Sequence, residues 1–328
     1  MSGPLDGRLV AVIGFGNQGS AQAQNLRDSG VRVLGGARTD GSAAARAAAL
    51  AFEVASIENA ARRADVVAML LPDEVTPRLW PSLLPALLPA THLVFAHGYV
   101  LLYGALAMPP GADVVLVSPT GPGRVLRESF VRGEGLPAYL AVHQDASSSA
   151  WDLAEAYAGA LGSTRAPLWR TTVREETEVD LFGEQAVLCG GMNALVTAGF
   201  DTLVDAGYSP EIAYLEVVHQ LRYLAELLHE RGVAGMRESI SGTARYGDLT
   251  RGPRVIGEAS RQEMQRMLGE IQSGAFAREW DAETAAGQPR LRALVEHARR
   301  HRTETARAAA LGVPNSPPDG DSRGPGGG

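Results

Sequence analysis

The sequence predicts a doubly wound α/β domain followed by an all-α domain, and three observations carry that reading. Short aliphatic runs alternate with Ala-rich stretches from Arg8 to about Leu168. A glycine string, Gly14-Phe15-Gly16-Asn17-Gln18-Gly19, stands where the first of those runs ends. Beyond about Thr172 the alternation stops, and the pattern is almost wholly helical from REETEVDLFGEQ to the ARAAALG near the end. A chain of 328 residues also exceeds the ~100–200 usual for one domain, so two cores are expected.

The strand candidates are LVAVIG, VRVLGG, ADVVAMLL, THLVFAH, ADVVLVS and AYLAVH. All are rich in β-branched and aliphatic residues and mostly free of polar interruptions, which suits a parallel sheet covered by helices on both faces. In the second domain Gly207 closes one helix, Ser209 caps the next and Pro210 fits its first turn. The expected organisation is a nucleotide-binding domain over 1–172, a helical domain over 173–312 and a disordered tail over 313–328. That tail, VPNSPPDGDSRGPGGG, is too rich in Pro, Gly and small polar residues to bury anything.

Composition excludes several function classes. With 45% hydrophobic, 20% charged and 6% aromatic residues the chain is not globally disordered. Thirty basic residues against 37 acids, a formal charge of −7, give no electrostatic footprint for nucleic acid or an anionic membrane, so small-molecule partners are favoured. All 30 basic residues are arginine, which removes Schiff-base chemistry, a P-loop lysine and a lysine general acid. The lone cysteine, Cys189 in AVLCGG, excludes an internal disulfide framework and a cysteine-based zinc cluster; a buried small hydrophobe is the expectation for it. The start, MSGPLDGRLV, lacks a basic region followed by an apolar one, and no stretch reaches ~20 continuous apolar residues, so a cytoplasmic protein away from membranes is expected.

The glycine string is the strongest local motif, because it follows a strand, opens a helical stretch and leads to a second strand. In that setting Gly14 allows the tight turn, Gly16 lets backbone approach a pyrophosphate, and Gly19 permits close helix–strand packing. Dinucleotide binding is therefore expected. An NAD-specific site places an acid at the end of the second strand, whereas Gly35 and Gly36 stand there. Arg38, Thr39 and Ser42 follow, a set able to hold a 2′-phosphate, which favours NADPH over NADH; Asp40 is the contrary signal, and a solvated loop charge is the plain alternative for each.

Two more loops follow strand ends, where doubly wound sheets bind ligands: Leu70-Leu71-Pro72-Asp73-Glu74 and Ala96-His97-Gly98. His97 should face the crevice, with a satisfied structural histidine as the alternative. In the helical domain, Asp180 and Glu184 are four apart, as are Glu216 and Gln220 on a separate helix, so each pair shares a helical face. A solvated acidic face is the usual explanation. The apolar neighbours Leu181, Phe182, Leu215 and Val217 weigh against it, since buried carboxylates need a cation, and converging oxygen ligands suit Mg²⁺.

The chain resembles the ketol-acid reductoisomerases of branched-chain amino-acid biosynthesis, specifically the short class. The resemblance runs from about Leu9 to Arg290 through GFGNQG with NLRDSG, LLPDEV, FAHG, GPG, AVHQDAS, EETEVDLFGEQAVLCGG, DAGYSPEIAYLE, GVAGMRESIS, YGD, GPRVI and FAREW. It implies a Rossmann-like domain followed by a knotted helical domain, an intertwined homodimer or higher assembly, and NADPH, or less often NADH, with two Mg²⁺ ions. The implied substrates are 2-acetolactate or 2-aceto-2-hydroxybutyrate, which undergo alkyl migration and then reduction. The loop residues Leu71, Pro72, Asp73 and Gly123 would join the glycine string at the cofactor. Asp180 would bridge the metals, Glu184 and Glu216 would each serve one, His97 would lie beside substrate and nicotinamide, and Ser241 would hold the substrate carboxylate.

The departures from that pattern are concentrated at the same site. A K-G-P-G-H string is replaced by Thr120-Gly121-Pro122-Gly123-Arg124, the second glutamate of the Glu216 helix is Gln220, and S-N-T-A-E-Y-G-D becomes Ser241-Gly242-Thr243-Ala244-Arg245-Tyr246-Gly247-Asp248. One positive and one negative charge are lost together. Thr120 cannot supply a cation to a migrating alkoxide, and losing such a contact commonly costs ~2.7–4 kcal/mol of barrier. Arg245 adds a cation for a substrate with an extra anionic group. The expected function is thus an NADPH- and Mg²⁺-dependent reductase of a 2-hydroxy-3-keto or 2-keto-3-hydroxy acid, as a specialised paralogue. The rival readings are a full acetolactate isomeroreductase, a nucleotide-binding pseudoenzyme and a simple 2-hydroxyacid dehydrogenase.

Overall fold

The computed structural model describes residues 3–38 and 40–314. Thr39 and the greater part of the expected tail, 315–328, lie outside the described residues. The chain divides into two compact units, one ending at Asp180 and the other starting at Leu181.

The first unit runs β1 (Leu9–Ile13), α1 (Asn17–Asp28), β2 (Arg32–Gly36), α2 (Ser42–Ala49), β3 (Val54–Ala55), α3 (Ile57–Arg63), β4 (Val66–Met69) and α4 (Thr76–Leu83). It continues through β5 (His92–Phe95), α5 (Tyr99–Tyr103), β6 (Val114–Pro119), α6 (Gly123–Val131), β7 (Ala138–Gln144), α7 (Ala150–Ala160) and β8 (Leu168–Arg170) into α8 (Val173–Gly183). The strands form one sheet in the order β3-β2-β1-β4-β5-β6-β7-β8. All six strand segments expected from the sequence are present. β3 and β8, of two and three residues, carry too little pattern to be read.

The expectation of a wholly parallel sheet fails at one edge, where β7 runs antiparallel to β6 and β8 runs parallel to β7. The connection explains the reversal. Nine residues of α6 carry the chain ~13.5 Å down the sheet. Residues 132–137, which reach up to ~20 Å when extended, return it to the top before β7 begins opposite Pro119. Val10, Val12, Val66, Val94, Val115 and Val117 sit at 0–1% exposure between the helical layers, which is the burial that uninterrupted aliphatic strands require.

The lower edge of the sheet is fastened by Asp113, which is 2% exposed. Burial alone would raise its carboxyl. Donors from Ser147 Oγ at 2.6 Å and from the Ser147 and Ala146 amides at 2.9 Å each bring it below its ordinary value. His92 beside it accepts the Asp113 amide proton at Nδ1, and burial lowers its pKa.

The second unit continues from α8 through a π-helical turn, Glu184–Leu188, into α9 (Gly190–Asp205) and α10 (Pro210–Tyr214), followed by a second π-helical turn, Leu215–His219. Then come α11 (Leu221–Glu238), α12 (Gly242–Val255), α13 (Glu258–Gln272), α14 (Ala275–Ala285), α15 (Pro289–Arg299) and α16 (Arg302–Leu311). Gly207 takes φ +89° after α9, and the Ser209 hydroxyl accepts the Ile212 amide as the N-cap of α10. The buried cluster here is small, centred on Phe200, Ala213, Tyr214 and Ala306, while Leu188, Leu195, Val233, Leu249 and Leu294 are half or more exposed.

One sequence expectation is corrected in this region. Cys189 is exposed, because the flanking Val187 and Leu188 at the π turn are themselves uncovered. The helical run Val173–Asp205 is long and apolar enough to cross a membrane by length and composition alone. Its apolar residues are not continuous, since glycines and isolated acids interrupt the run, as the sequence reading has it.

Replacing Asp113 by Asn tests the fastening. A depressed native pKa contributes stability that is complete above about pH 4 and lost as pH falls through the lower native value. Denaturant midpoints at pH 7 and pH 3 should show a smaller acid-induced loss in Asp113→Asn than in the unaltered chain, and a cost of ~1–3 kcal/mol at pH 7.

Candidate functional site

Strand register brings the predicted loops to one edge of the sheet. Ile13 pairs with Met69, Met69 with Phe95 and Phe95 with Leu116, so the chain leaves β1, β4, β5 and β6 at the same end. The glycine string, Leu71-Pro72-Asp73, His97 and Thr120 all follow those exits. The change of direction in strand order falls between β1 and β4, where doubly wound sheets open a crevice.

Glycines in the string do different work. Gly14 takes φ +98°, and a Cβ there would lie 2.6 Å from the Leu70 carbonyl oxygen. On Gly19 a Cβ would fall 1.8 Å from the Gly14 oxygen, so only glycine lets α1 pack this closely. A Cβ on Gly16 would meet nothing within 4 Å, so open space for a ligand lies beside its backbone. Asn17 is exposed and Gln18 half-buried, its amide donating to the Gly121 carbonyl at 2.9 Å. Phe15 offers only backbone to the loop: its ring is fully buried, 5.5 Å from that of Phe52. Gly123 packs α6 onto this loop, since a Cβ would come within 2.1 Å of the Asn17 oxygen. Arg38 and Ser42 are exposed beyond β2. Arg46, which the sequence reading passed over, reaches back from α2 to the Phe15 carbonyl at 2.6 Å.

His97 sits in an acidic pocket. Its Nδ1 lies 3.4 Å from Asp180 Oδ2 and 3.5 Å from Glu176 Oε1, and its Nε2 lies 3.9 Å from Asp73 Oδ2. Burial would lower the imidazole pKa, but the Glu176 hydrogen bond and the charges of Asp73, Glu176 and Asp180 push it up to about 9. The Asp73 carboxyl is raised to about 6, by burial first, with His97 opposing and Glu74, Glu176 and Asp180 adding repulsion.

Glu176 is the residue that sequence reasoning missed. Its side chain is fully buried; Oε2 accepts the Gly98 amide at 3.0 Å, and Oε1 faces His97 Nδ1 at 3.5 Å. Gly98 has to be glycine, because a Cβ would meet Thr177 Oγ1 at 2.2 Å and Glu176 Oε2 at 2.8 Å. The signal was present: Glu176 stands four residues before Asp180, on the same stripe of α8.

Thr120 is exposed, and its hydroxyl donates to the Pro137 carbonyl at 2.9 Å. Arg124 extends into solvent and pairs with Glu128 one turn on.

In the second unit the remaining candidates lie at π-helical turns. Glu184 opens the first and Glu216 lies within the second, with Gln220 just after it. Such turns concentrate at functional sites. Glu184, Glu216 and Gln220 are exposed, so the burial expected from their apolar neighbours is not met within this chain; Val187, Leu188 and Leu215 beside them are exposed as well. The Gln220 amide donates to Glu216 Oε2 at 2.6 Å, which leaves its carbonyl oxygen turned away from that carboxylate.

Ser241 is the N-cap of α12, its hydroxyl oxygen accepting the Ala244 amide at 3.2 Å, which leaves its own proton to donate. Arg245 corrects an expectation. Rather than standing as a lone cation for an extra anionic group, it donates to the carbonyls of Arg237 at 2.9 Å, Glu238 at 3.3 Å and Ile240 at 3.5 Å. It caps the end of α11 and braces the turn before Ser241.

Among the described residues, no group of three or more His, Cys, Asp or Glu side chains is gathered to hold a metal ion. The pocket's excess of carboxylates over cations is nevertheless real. Glu176→Gln keeps the shape and removes the charge behind His97. Turnover is expected to fall about tenfold or more while the dinucleotide Kd stays within about twofold, as steady-state kinetics beside a binding titration would show.

Comparison with known proteins accounts for both units. Residues 4–167 match the acetohydroxy acid isomeroreductase NADPH-binding domain, and residues 173–310 match the ketol-acid reductoisomerase C-terminal domain. An NADH-preferring ketol-acid reductoisomerase from an uncultured archean superposes with a TM-score of 0.92 at 37% identity, covering 95% of this chain and 96% of that one. A semialdehyde dehydrogenase NAD-binding protein from Cupriavidus necator (TM-score 0.63, 20% identity, 81% of this chain and 98% of that one) shares the fold alone. So does a 1-pyrroline-5-carboxylate reductase from Streptococcus pyogenes (0.55, 14%, 81% and 98%). With both domains matched in order along nearly the whole length, this chain belongs to the ketol-acid reductoisomerase family of NAD(P)H-dependent enzymes.

Proposed function

We propose that this member of the family reduces a 2-hydroxy-3-keto or 2-keto-3-hydroxy acid other than acetolactate, as a specialised paralogue, and that alkyl migration is slowed relative to hydride transfer. The observation that carries this reading is Thr120, a neutral side chain whose hydroxyl is engaged by the Pro137 carbonyl where the family pattern has a lysine. Migration develops alkoxide charge that a nearby ammonium would stabilise. Hydride transfer to the keto group relies instead on a positioned donor, the role this reading gives to His97 beside Asp180.

Mg²⁺ fits the donor chemistry. Asp180, Glu184 and Glu216 supply carboxylate oxygens and Gln220 a carbonyl oxygen, all hard ligands, while Asp73, Glu176 and Asp180 gathered around the single His97 mark a pocket with more negative charge than protein cations offset. When bound, the metal polarises substrate oxygens and the reduced nicotinamide supplies hydride. In this reading Asp180, Glu184 and Glu216 would hold the metal. Ser241 donates to the substrate carboxylate, and Glu176 holds His97. NADPH is the favoured cofactor, through Arg38 and Ser42, although the archaeal relative is NADH-preferring.

The assembly is a homodimer in which the exposed apolar side chains of the second unit meet their counterparts. A unit with so small a buried cluster gains most of its stability by covering that face. A single unpaired thiol suits a reducing compartment such as the cytoplasm.

Three measurements test the proposal. Acetolactate and the already rearranged 3-hydroxy-2-keto acid, supplied separately with NADPH and Mg²⁺, should differ by ~10²-fold or more in turnover; equal rates would establish the full isomeroreductase instead. Thr120→Lys combined with Gln220→Glu should raise acetolactate turnover, and no gain would remove the assigned cause. Calorimetry should show Mg²⁺ binding weakened at least ~10-fold by Asp180→Asn, while unchanged binding would favour a nucleotide-binding pseudoenzyme.

A further inference from the structure

Helix α1 carries a buried polar seam that the cofactor loop alone does not explain. Gln18, Gln22 and Asn25 stand at i, i+4 and i+7, one face of the helix, and Gln22 and Asn25 are both 0% exposed. Apolar residues ordinarily occupy such a face, so each amide there has to be satisfied by a directional bond.

The bonds form a chain. The hydroxyl of Tyr157, a fully buried residue of α7, donates to Gln22 Oε1 at 3.0 Å. Gln22 Nε2 then donates to Gln18 Oε1 at 3.3 Å, and Gln18 Nε2 donates to the Gly121 carbonyl at 2.9 Å. Direction is imposed from one end. Burial pushes the Tyr157 phenol pKa up, so it remains a donor, and a donor at Gln22 Oε1 turns the Gln22 amide nitrogen toward Gln18. That in turn faces the Gln18 nitrogen toward Gly121. The lower half of the seam is tied separately: Asn25 donates to the Leu161 carbonyl at 3.1 Å and accepts from Arg127 of α6 at 2.9 Å.

The chain of bonds ends where two helices begin. Gly121 is two residues before Gly123, the first residue of α6, and a Cβ on Gly123 would sit 2.1 Å from the Asn17 oxygen at the start of α1. The N-terminal ends of α1 and α6 therefore touch backbone to backbone beside the open space at Gly16. We propose that Tyr157 and Gln22 are positioning residues for the dinucleotide: their bonds to Gln18 hold the Thr120–Gly123 loop against the glycine string, so that both helix N-termini face the cofactor's pyrophosphate in fixed register. Neither residue touches the cofactor; each acts through Gln18.

The test is a double-mutant cycle read by cofactor binding on the full chain. Tyr157→Phe removes one hydroxyl and should weaken NADPH and NADH equally, by about threefold to tenfold, because the pyrophosphate is common to both. Gln18→Ala should weaken both by at least as much. Combined with Gln18→Ala, Tyr157→Phe should add nothing further, since the link it acts through is already gone. Gln22→Met, similar in length and without the amide, should reproduce the Tyr157→Phe loss and provides the second arm if the tyrosine variant folds poorly. Turnover of Tyr157→Phe and Gln22→Met at saturating cofactor should stay within about twofold. Additive losses in the double variant, a loss confined to one cofactor, or an unchanged Kd in Tyr157→Phe would each overturn the proposal.

Discussion

The candidate site in the first unit depends on one buried carboxylate. Glu176 accepts the Gly98 amide and faces His97 with its other oxygen, and in doing so it fixes the first turns of α8 against the loop that leaves β5. Burying a carboxylate away from water is costly unless its charge is met. The Gly98 amide and the His97 ring, 3.5 Å from the second oxygen, offset that cost, so the electrostatics of the pocket and the packing of α8 are linked. Asp73, Asp180 and the glycine at position 98 follow from the same constraint: the acids share one imidazolium, and no side chain larger than hydrogen fits where α8 approaches.

Much of this was legible beforehand, for reasons that can be named. The six longer strands were visible because a sheet covered on both faces demands uninterrupted aliphatic residues, and the glycine string was visible because each of its glycines answers a steric demand. Gly207, Ser209 and Pro210 announced a helix boundary because capping chemistry is local. What depends on distant partners was hidden. The reversal of β7 is decided by how far residues 132–137 must travel, which no local pattern encodes. Phe15 reads as part of a ligand loop until Phe52 and Gly35 are seen to enclose its ring.

The helical unit shows the limit more sharply. Spacing by four placed Asp180 with Glu184 and Glu216 with Gln220, but the residues around them are not ordinary α-helix, and amino-acid pattern does not distinguish an α turn from a π turn. Nor did the apolar neighbours imply burial, since a face that waits for another surface has the composition of a core without being one inside a single chain. Arg245 was misread for a related reason. A charged residue beside an expected site invites an electrostatic role, whereas here the guanidinium finishes a helix.

The two π turns have a consequence for how such a chain can change over time. Each is in effect an α-helix with one extra residue, and an α-helix advances ~100° per residue. Deleting a single residue between Glu184 and Leu188 would let the hydrogen bonding relax to α geometry while swinging everything that follows through nearly a third of a revolution. These short segments thus act as angular spacers: a change of side chain leaves the aim of the acids they carry in place, whereas a change of length re-aims them.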